Sequence, residues 1–156
     1  MSDLFAIDTS VYIRASRDAG ALSDLKAFRK RAGLRLRLPG VVAMELGAGA
    51  ITERHEEHVA DLVEPYAERG FVLPVSEAAC LQAGCVLAAL ARHERVDLAR
   101  APRSLTNDVL IAASCREAGV LLVTDNARDF AAIQRQMRGF RFVSPWPLLA
   151  ARRYRS

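Results

Sequence analysis

The sequence lacks features that would place it at a membrane or outside the cell. It has no apolar run near the roughly 20 residues that a helix needs to cross a bilayer. Its first residues, MSDLFAID, carry no basic segment before the apolar stretch, which argues against a signal peptide. Cysteine occurs only at Cys80, Cys85 and Cys115, without a C-x-x-C pair, so we expect reduced thiols in the core. These absences predict a cytoplasmic protein with no membrane contact.

Histidine and lysine are also scarce, and their positions argue against several enzyme classes. His55 and His58 are three residues apart in a strongly charged helix, whereas the H-E-x-x-H zinc motif needs a spacing of four. A haloacid-dehalogenase-like phosphatase would need an acid where this chain has Ser10. A receiver domain would need a late lysine, but Lys26 and Lys30 are the only two and both are early.

The 156 residues, 51% of them hydrophobic, are enough for one domain with a sizeable core. Short apolar runs alternate with helical patterns, which predicts an α/β fold with a central, mostly parallel sheet flanked by helices. The predicted strands are 4–8, 34–38, 71–75, 120–124 and 140–143. The predicted helices are 9 onward, 23–32, 41–50, 52–69, 77–93, 105–118 and 127–137. We expect a single domain over 1–147, followed by a basic C-terminal tail over 148–156.

Four acidic residues stand in apolar or helix-start surroundings: Asp8, Glu45, Asp108 and Asp125. Asp8 and Asp125 close predicted strands, and the carboxyl ends of parallel strands lie at one edge of a sheet, where ligands bind. An ionised carboxylate beside apolar residues is costly unless a positive charge compensates it. If the four acids converge, their hard oxygen ligands select Mg²⁺ or Mn²⁺. A shared cation favours phosphodiester chemistry.

Each acid also has a purely structural interpretation. Asp8 and Asp125 are each followed by a helix that they would cap. Asp108, predicted in the first turn of its helix, would be favoured there by the helix dipole. Glu45 is harder to explain in this way, because its apolar neighbours predict a helix that is buried on most sides. The combination of four is less probable by chance than any one of them.

The net charge of +4 is unevenly distributed along the chain. From Arg128 to the end there are seven arginines and one acid, and a second basic stretch runs from Lys26 to Arg37 without an acid. Such stretches fit a polyanionic partner, since Arg and Lys neutralise phosphates and release counterions. Solvated helix faces are the alternative interpretation.

Three sequence elements occur in a specific order. D-T-S follows the first strand at Asp8, and an acid stands in an apolar helix at Glu45. D-x-x-I-A-A from Asp108 then precedes T-x-N-x-x-D-F from Thr124 to Phe130. In this order the chain closely resembles PIN-domain ribonucleases, and within them the VapC-type toxins of type II toxin–antitoxin systems. The resemblance implies a PIN-like three-layer sandwich.

The resemblance further implies a Mg²⁺-dependent endoribonuclease, with Mn²⁺ as the alternative cofactor. The implied catalytic residues are Asp8, Glu45, Asp108 and Asp125, of which Asp8 and Asp108 hold the metal. In many relatives the fourth acid stands two residues after the threonine, where this chain has Asn126. That position is left open between Asp125, Asn126 and Asp129. Thr9 and Thr124 match hydroxyl residues that support the site, and Asn126 and Asp129 are supporting candidates as well.

The implied partners are an RNA substrate, a cognate antitoxin protein and a second copy of the chain in a homodimer. Free of its antitoxin, such a toxin cuts RNA and inhibits translation. A housekeeping RNA-processing nuclease and a catalytically inactive domain that binds RNA or a partner are the alternatives. Three intact acids, Asp8, Glu45 and Asp108, argue against the inactive domain.

Overall fold

Short strands alternate with helices along the part of the chain that the computed structural model describes, residues 3–149. The strands are β1 (Leu4–Ile7), β2 (Leu36–Pro39), β3 (Val72–Leu73), β4 (Val120–Val123) and β5 (Phe142–Val143). The helices are α1 (Thr9–Arg17), α2 (Ala19–Ala32), α3 (Gly40–Ala48), α4 (Glu53–Glu68), α5 (Glu77–His93), α6 (Arg103–Glu117) and α7 (Ala127–Gln136). A single 3-10 turn over Gly33–Arg35 precedes β2.

The strands form one sheet in the order β3-β2-β1-β4-β5, and each pairing is parallel. The first leg of the sheet runs from β1 at the centre through β2 to the edge strand β3. The second leg begins with β4 on the other side of β1 and ends with β5. Because crossover connections are right-handed, the helices of these two legs cover opposite faces of the sheet. The predicted α/β sandwich with a central sheet flanked by helices is therefore confirmed, and the strand order reverses between β1 and β4.

The core lies on both faces of this sheet. Strands covered on both sides are apolar nearly throughout, which explains the uninterrupted runs LFAI and VLLV. Phe28 of α2 packs edge-on against Phe5 of β1, with ring centroids 5.5 Å apart. Phe130 of α7 is fully buried as well. Among residues 3–149, the polar residues buried with these apolar side chains are Asp8, Asp108, Ser114 and Thr124.

Helix caps and strand ends explain which predicted boundaries are right. Thr52 accepts a 3.3 Å hydrogen bond from the backbone N–H of His55, so the predicted cap of α4 is confirmed. Ser76 caps α5 in the same way through the N–H of Ala79 at 3.0 Å, and α5 has the predicted bounds. The strand before Pro74 lies at the sheet edge, as a proline there predicts.

Several predicted boundaries are wrong. Helix α2 begins at Ala19, four residues earlier than predicted, because Asp18 caps it by accepting a 2.6 Å hydrogen bond from the N–H of Ala21. Three others differ for local reasons. The second strand begins at Leu36, because Gly33 adopts a left-handed φ of 54° and starts a 3-10 turn that leaves Leu34 exposed. The last strand begins at Phe142, since the N–H of Phe140 is still bonded to the turn that follows α7. Helix α6 begins at Arg103, two residues earlier than predicted, so Asp108 lies in its second turn.

Two burial predictions also need correction. Helix α3 is not buried on most sides: Val41 and Val42 are buried, whereas Met44 is 55% exposed. Of the three cysteines, only Cys115 is in the core, and Cys80 and Cys85 are exposed. Both lie on α5, outside the buried stripe of that helix, which is formed by Ala79, Ala83, Val86 and Leu90.

The end of the described chain packs against the domain. Trp146, Leu148 and Leu149 are half-buried against the core, and most of the basic tail predicted at 148–156 lies outside the described residues. Within residues 3–149, no helix is both long enough and apolar enough to cross a membrane.

Candidate active site

The carboxyl ends of β1 and β4 bring two polar residues together at the point where the strand order reverses. Ile7 pairs with Val123, and the N–H of Asp8 donates to the carbonyl of Val123 at 2.9 Å. Asp8 and Thr124 therefore follow neighbouring strands at one edge of the sheet, and both are buried. This is the place where open parallel sheets bind ligands.

Two hydroxyl groups fix the carboxylate of Asp8. Thr124 donates to Asp8 Oδ2 at 2.8 Å, and Ser10 donates to the same oxygen at 2.6 Å. Thr124 in turn accepts a 3.0 Å hydrogen bond from the backbone N–H of Asn126. Asp8 makes no side-chain capping bond to α1, so helix capping does not explain this residue.

Glu45 reaches the same edge from α3, which begins directly after β2. Thr9 donates to Oε2 of Glu45, and the amide of Asn107 donates to Oε1 at 2.8 Å. The two donors come from α1 and α6, so three helices meet at this half-buried carboxylate. No sequence pattern singled out Asn107, which directly precedes Asp108.

Asp108 projects from the second turn of α6 and is only 8% exposed. The influence of the helix dipole falls off within the first turn, so the dipole does not account for a buried acid there. The amide of Asn126 lies 3.4 Å from Asp108 Oδ2 and 3.0 Å from Asp129 Oδ2. Asn126 thus joins Asp108 to Asp129, an acid in the first turn of α7.

The acids are close enough to affect one another's ionisation. Burial raises the pKa of Asp108 to about 8, and the negative charges of Asp8, Glu45 and Asp129 contribute to that rise. Burial also raises the pKa of Asp8, against the effect of its two hydroxyl donors. Within residues 3–149, no lysine or arginine forms an ion pair with any of these four acids. We call Asp8, Glu45, Asp108 and Asp129 the acidic cluster.

Asp125 has different surroundings. Its carboxylate accepts a 2.9 Å hydrogen bond from Arg14 at the surface, and it is not among the charges that raise the pKa of Asp108. It does not cap α7 either, because the cap position belongs to Asn126. The structure therefore brings Asp8, Glu45 and Asp108 together with Asp129, and leaves Asp125 at the margin.

The donor set of the acidic cluster fits a hard divalent cation. Buried carboxylates that repel one another and lack a protein cation offer a site that such an ion would neutralise. Across the described residues, however, no three His, Cys, Asp or Glu side chains are arranged to hold a metal ion together. A divalent cation such as Mg²⁺ commonly uses one or two protein carboxylates and keeps several waters, so Asp8 and Asp108 could hold one. His55 and His58 are exposed on α4.

Comparison with known proteins gives the family of this fold. The model of the PIN domain matches residues 5–136, most of the chain. The chain belongs to the PIN domain family. The family predicted from the three sequence elements is therefore confirmed. A search of curated protein sequences found no match to this PIN domain.

Solved structures share the fold of this PIN domain. In DNA-bound VapBC from Salmonella typhimurium, a chain with 24% identity aligns with a TM-score of 0.67, covering 92% of this chain and 98% of that one. VapBC-1 from nontypeable Haemophilus influenzae gives 21% identity, a TM-score of 0.63 and coverages of 90% and 96%. VapBC-5 from Mycobacterium tuberculosis, of the VapBC family of toxin-antitoxin systems, gives 20% identity, a TM-score of 0.53 and coverages of 90% and 95%. At these identities the likeness establishes the fold alone.

Proposed function

We propose that this PIN domain is a metal-dependent endoribonuclease that hydrolyses RNA phosphodiester bonds. The observation that carries the proposal is the acidic cluster at the carboxyl ends of the central strands. Asp8 and Asp108 are buried in it, Glu45 is half-buried and Asp129 is exposed. Burial and the neighbouring negative charges raise the pKa of Asp108. The protein supplies no cation to this cluster, so a divalent ion that binds there would relieve the repulsion between its carboxylates. Membership of the PIN domain family directs that chemistry toward nucleic acid.

The residues of the cluster have separate tasks in this proposal. Asp8 and Asp108 would hold Mg²⁺, or Mn²⁺ in its place, and Ser10 and Thr124 orient Asp8 for that task. The chemistry that the bound cation supplies is activation of water and polarisation of a phosphoryl oxygen. Glu45 is fixed through both of its oxygens and orients the attacking water.

Asp129 is the acid that we propose for the fourth position. The amide of Asn126 donates to the carboxylate of Asp129 at 3.0 Å and also contacts Asp108. The negative charge of Asp129 therefore lies close enough to affect the cluster. Asp125, the residue implied by its place after the strand, pairs with Arg14 instead. Thr9 and Asn107 support the site through Glu45, because both donate hydrogen bonds to its carboxylate.

We further propose that the nuclease is the toxin of a toxin–antitoxin pair, and that it inhibits translation when free of its antitoxin. Support comes from the fold, which the chain shares over 90% of its length with VapBC-5, a member of a toxin-antitoxin family. The partners are then an RNA substrate in the cytoplasm, an antitoxin protein and a second copy of the chain. A housekeeping RNA-processing nuclease is the alternative.

The nuclease proposal is tested by RNA cleavage with Mg²⁺ and with EDTA. Wild type should cut total cellular RNA only with Mg²⁺, and Asp8→Asn should not cut, because the substitution removes a proposed ligand with little change in shape. Asp125→Asn is the matched control and should cut at nearly the wild-type rate. Equal cleavage by wild type and Asp8→Asn would refute the proposed site, and binding without cleavage by wild type would favour the inactive domain.

The toxin proposal needs a separate test in cells. Induced expression of wild type should stop protein synthesis, and expression of Asp8→Asn should not. Coexpression of a small protein encoded beside this gene should restore growth and form a complex in which cleavage is suppressed. Normal growth during strong expression of an active enzyme would favour the housekeeping nuclease. Mapping the new RNA ends after induction would identify the RNA that is cut.

A further inference from the structure

A basic pocket lies at the edge of the sheet opposite the acidic cluster. Its volume is about 470 Å³, within the range of ligand sites. The lining comes from the last turns of α2, the end of α4 and the segments that lead into β2 and β3. We define the basic pocket by Lys26, Arg29, Leu36, Tyr66, Arg69 and Phe71, which are among its lining residues.

The position of the basic pocket follows from the sheet topology. Leu36 begins β2 and Phe71 precedes β3, so the pocket lies where these strands start. Asp8 follows the end of β1, which is parallel to both strands of that leg of the sheet. Since a strand of four residues spans roughly 13 Å, the pocket is separate from the acidic cluster. Whatever binds there does not occupy the site of cleavage.

The charge of the basic pocket is of one sign. Three cations, Lys26, Arg29 and Arg69, line it together with apolar and glycine residues, and no acid is among its lining residues. Within residues 3–149, none of the three forms an ion pair. Arg35 and Arg37, both half-buried, are close in the sequence to the pocket residues Leu34 and Leu36. An unneutralised cluster of this kind favours a polyanion.

A stacked pair of flat groups borders the basic pocket. The guanidinium of Arg37 lies 4.0 Å from the ring centroid of Phe71. The same guanidinium donates to the carbonyls of Leu34 at 2.9 Å and Leu36 at 2.8 Å, which fixes its orientation. Aromatic rings and guanidinium planes are the surfaces on which unpaired bases stack in complexes with single-stranded RNA. Cationic donors would contact the phosphate of a nucleotide, and the stacking surface beside them would contact its base.

We propose that the basic pocket binds a segment of single-stranded RNA at a distance from the bond that is cut. Lys26, Arg29 and Arg69 contact phosphates, and bases stack beside Phe71 and Arg37. The stacked pair of Arg37 and Phe71 favours a nucleotide over an acidic peptide, which has no base to stack, while the exposed Leu34 adds apolar surface to the pocket. The proposal rests on the proposed ribonuclease function, since it names a second contact for the same substrate.

The test is RNA binding under conditions in which no cleavage occurs. The probe is a fluorescein-labelled oligouridine of about 16 nucleotides, titrated by anisotropy in EDTA against the full chain carrying Asp8→Asn. The pocket variant adds Lys26→Gln and Arg69→Gln, two exposed positions. The control variant adds Arg92→Gln and Arg95→Gln, which remove the same charge from exposed residues outside the pocket. A labelled glutamate-rich peptide of equal charge is the competing probe.

The pocket variant should lose roughly tenfold in RNA affinity, and its slope of log K against log salt should fall by about 1.4, as two lost phosphate contacts require. The control variant should change less than the pocket variant on both measures. Equal losses in the two variants would overturn the pocket proposal, and so would preferential binding of the peptide.

A cleavage assay on the chain that keeps Asp8 distinguishes failure of the pocket proposal from failure of the nuclease proposal. If that chain cuts RNA with Mg²⁺ while the pocket and control variants bind alike, the pocket proposal fails and the nuclease proposal stands. If it neither binds nor cuts RNA, both proposals fail.

Discussion

The amide of Asn107 donates a 2.8 Å hydrogen bond to Glu45, and so connects the helix that carries Asp108 to the helix that carries Glu45. The two residues are 62 positions apart in the chain. Their contact fixes one proposed catalytic acid next to another, and the other oxygen of Glu45 is held by Thr9. Several predictions about the acidic cluster depend on contacts of this kind, which join distant segments through single polar groups.

Asn107→Ala should lower the rate of RNA cleavage by about 10- to 100-fold, because a hydrogen bond to a charged group contributes about 1.5–3 kcal/mol. The affinity for RNA should stay near the wild-type value, since Asn107 orients Glu45 and does not contact phosphate in the proposed mechanism. Single-turnover cleavage and anisotropy binding measure the two effects. Thr106→Ala, at the exposed neighbour on α6, is the control. A wild-type cleavage rate in Asn107→Ala would contradict the role given to this residue.

Thr124→Val should destabilise the fold by about 1–3 kcal/mol, because it leaves the partly buried backbone N–H of Asn126 without its hydroxyl partner. It should also slow cleavage, since Asp8 loses one of its two hydroxyl donors. Thr124→Ser keeps the hydroxyl and should retain most of the activity. Urea unfolding and cleavage assays test both effects. If Val and Ser behave alike, the hydroxyl has no part in the site.

The choice of the fourth acid is tested by one pair of substitutions. Asp129→Asn should slow cleavage by roughly 10-fold, because it removes a carboxylate whose negative charge would help to attract a cation to the acidic cluster. Asp125→Asn should have a much smaller effect, because its carboxylate pairs with Arg14 at the surface and such pairs contribute little. A larger loss of cleavage rate in Asp125→Asn than in Asp129→Asn would show that Asp125 is the fourth acid.

Asp108→Asn should stabilise the metal-free protein, and the gain should grow with pH. The folded carboxyl has a pKa of about 8 against an ordinary value of 3.8, so the folded state holds its proton over a range in which the unfolded chain has lost it. Wild-type stability therefore falls as pH rises through that range, whereas the amide does not titrate. The gain should be on the order of 1–3 kcal/mol near neutral pH and close to zero near pH 4.

Urea unfolding in EDTA at about pH 5 and about pH 8 measures the effect of Asp108→Asn. Asp125→Asn is the control, because its carboxylate lies at the margin of the cluster and pairs with Arg14. A wild-type protein that is as stable as Asp108→Asn at both pH values would mean that the acid is not destabilised by its surroundings.

The sequence predicted those parts of the fold and site that depend on neighbouring residues. Short apolar runs located β1 and β4, and their predicted parallel arrangement placed Asp8 and Asp125 at one edge, where the structure brings Asp8 and Thr124 together. The parts that were missed depend on packing between distant segments. The pairing of Asp125 with Arg14 spans 111 positions, and that of Asn107 with Glu45 spans 62. No local sequence pattern predicts either contact. The exposure of Met44 was missed for the same reason, since its apolar neighbours do not show which side of α3 faces the sheet.

The most direct test of the central claim is Mn²⁺ binding measured by calorimetry in the absence of RNA. The claim is that Asp8 and Asp108 provide one site for a divalent cation within the acidic cluster. Wild type and Asp125→Asn should show saturable binding, whereas Asp8→Asn and Asp108→Asn should bind at least tenfold more weakly, a difference of about 1.4 kcal/mol. If wild type does not bind Mn²⁺, or if the two Asn variants bind it as tightly as wild type, the central claim is wrong.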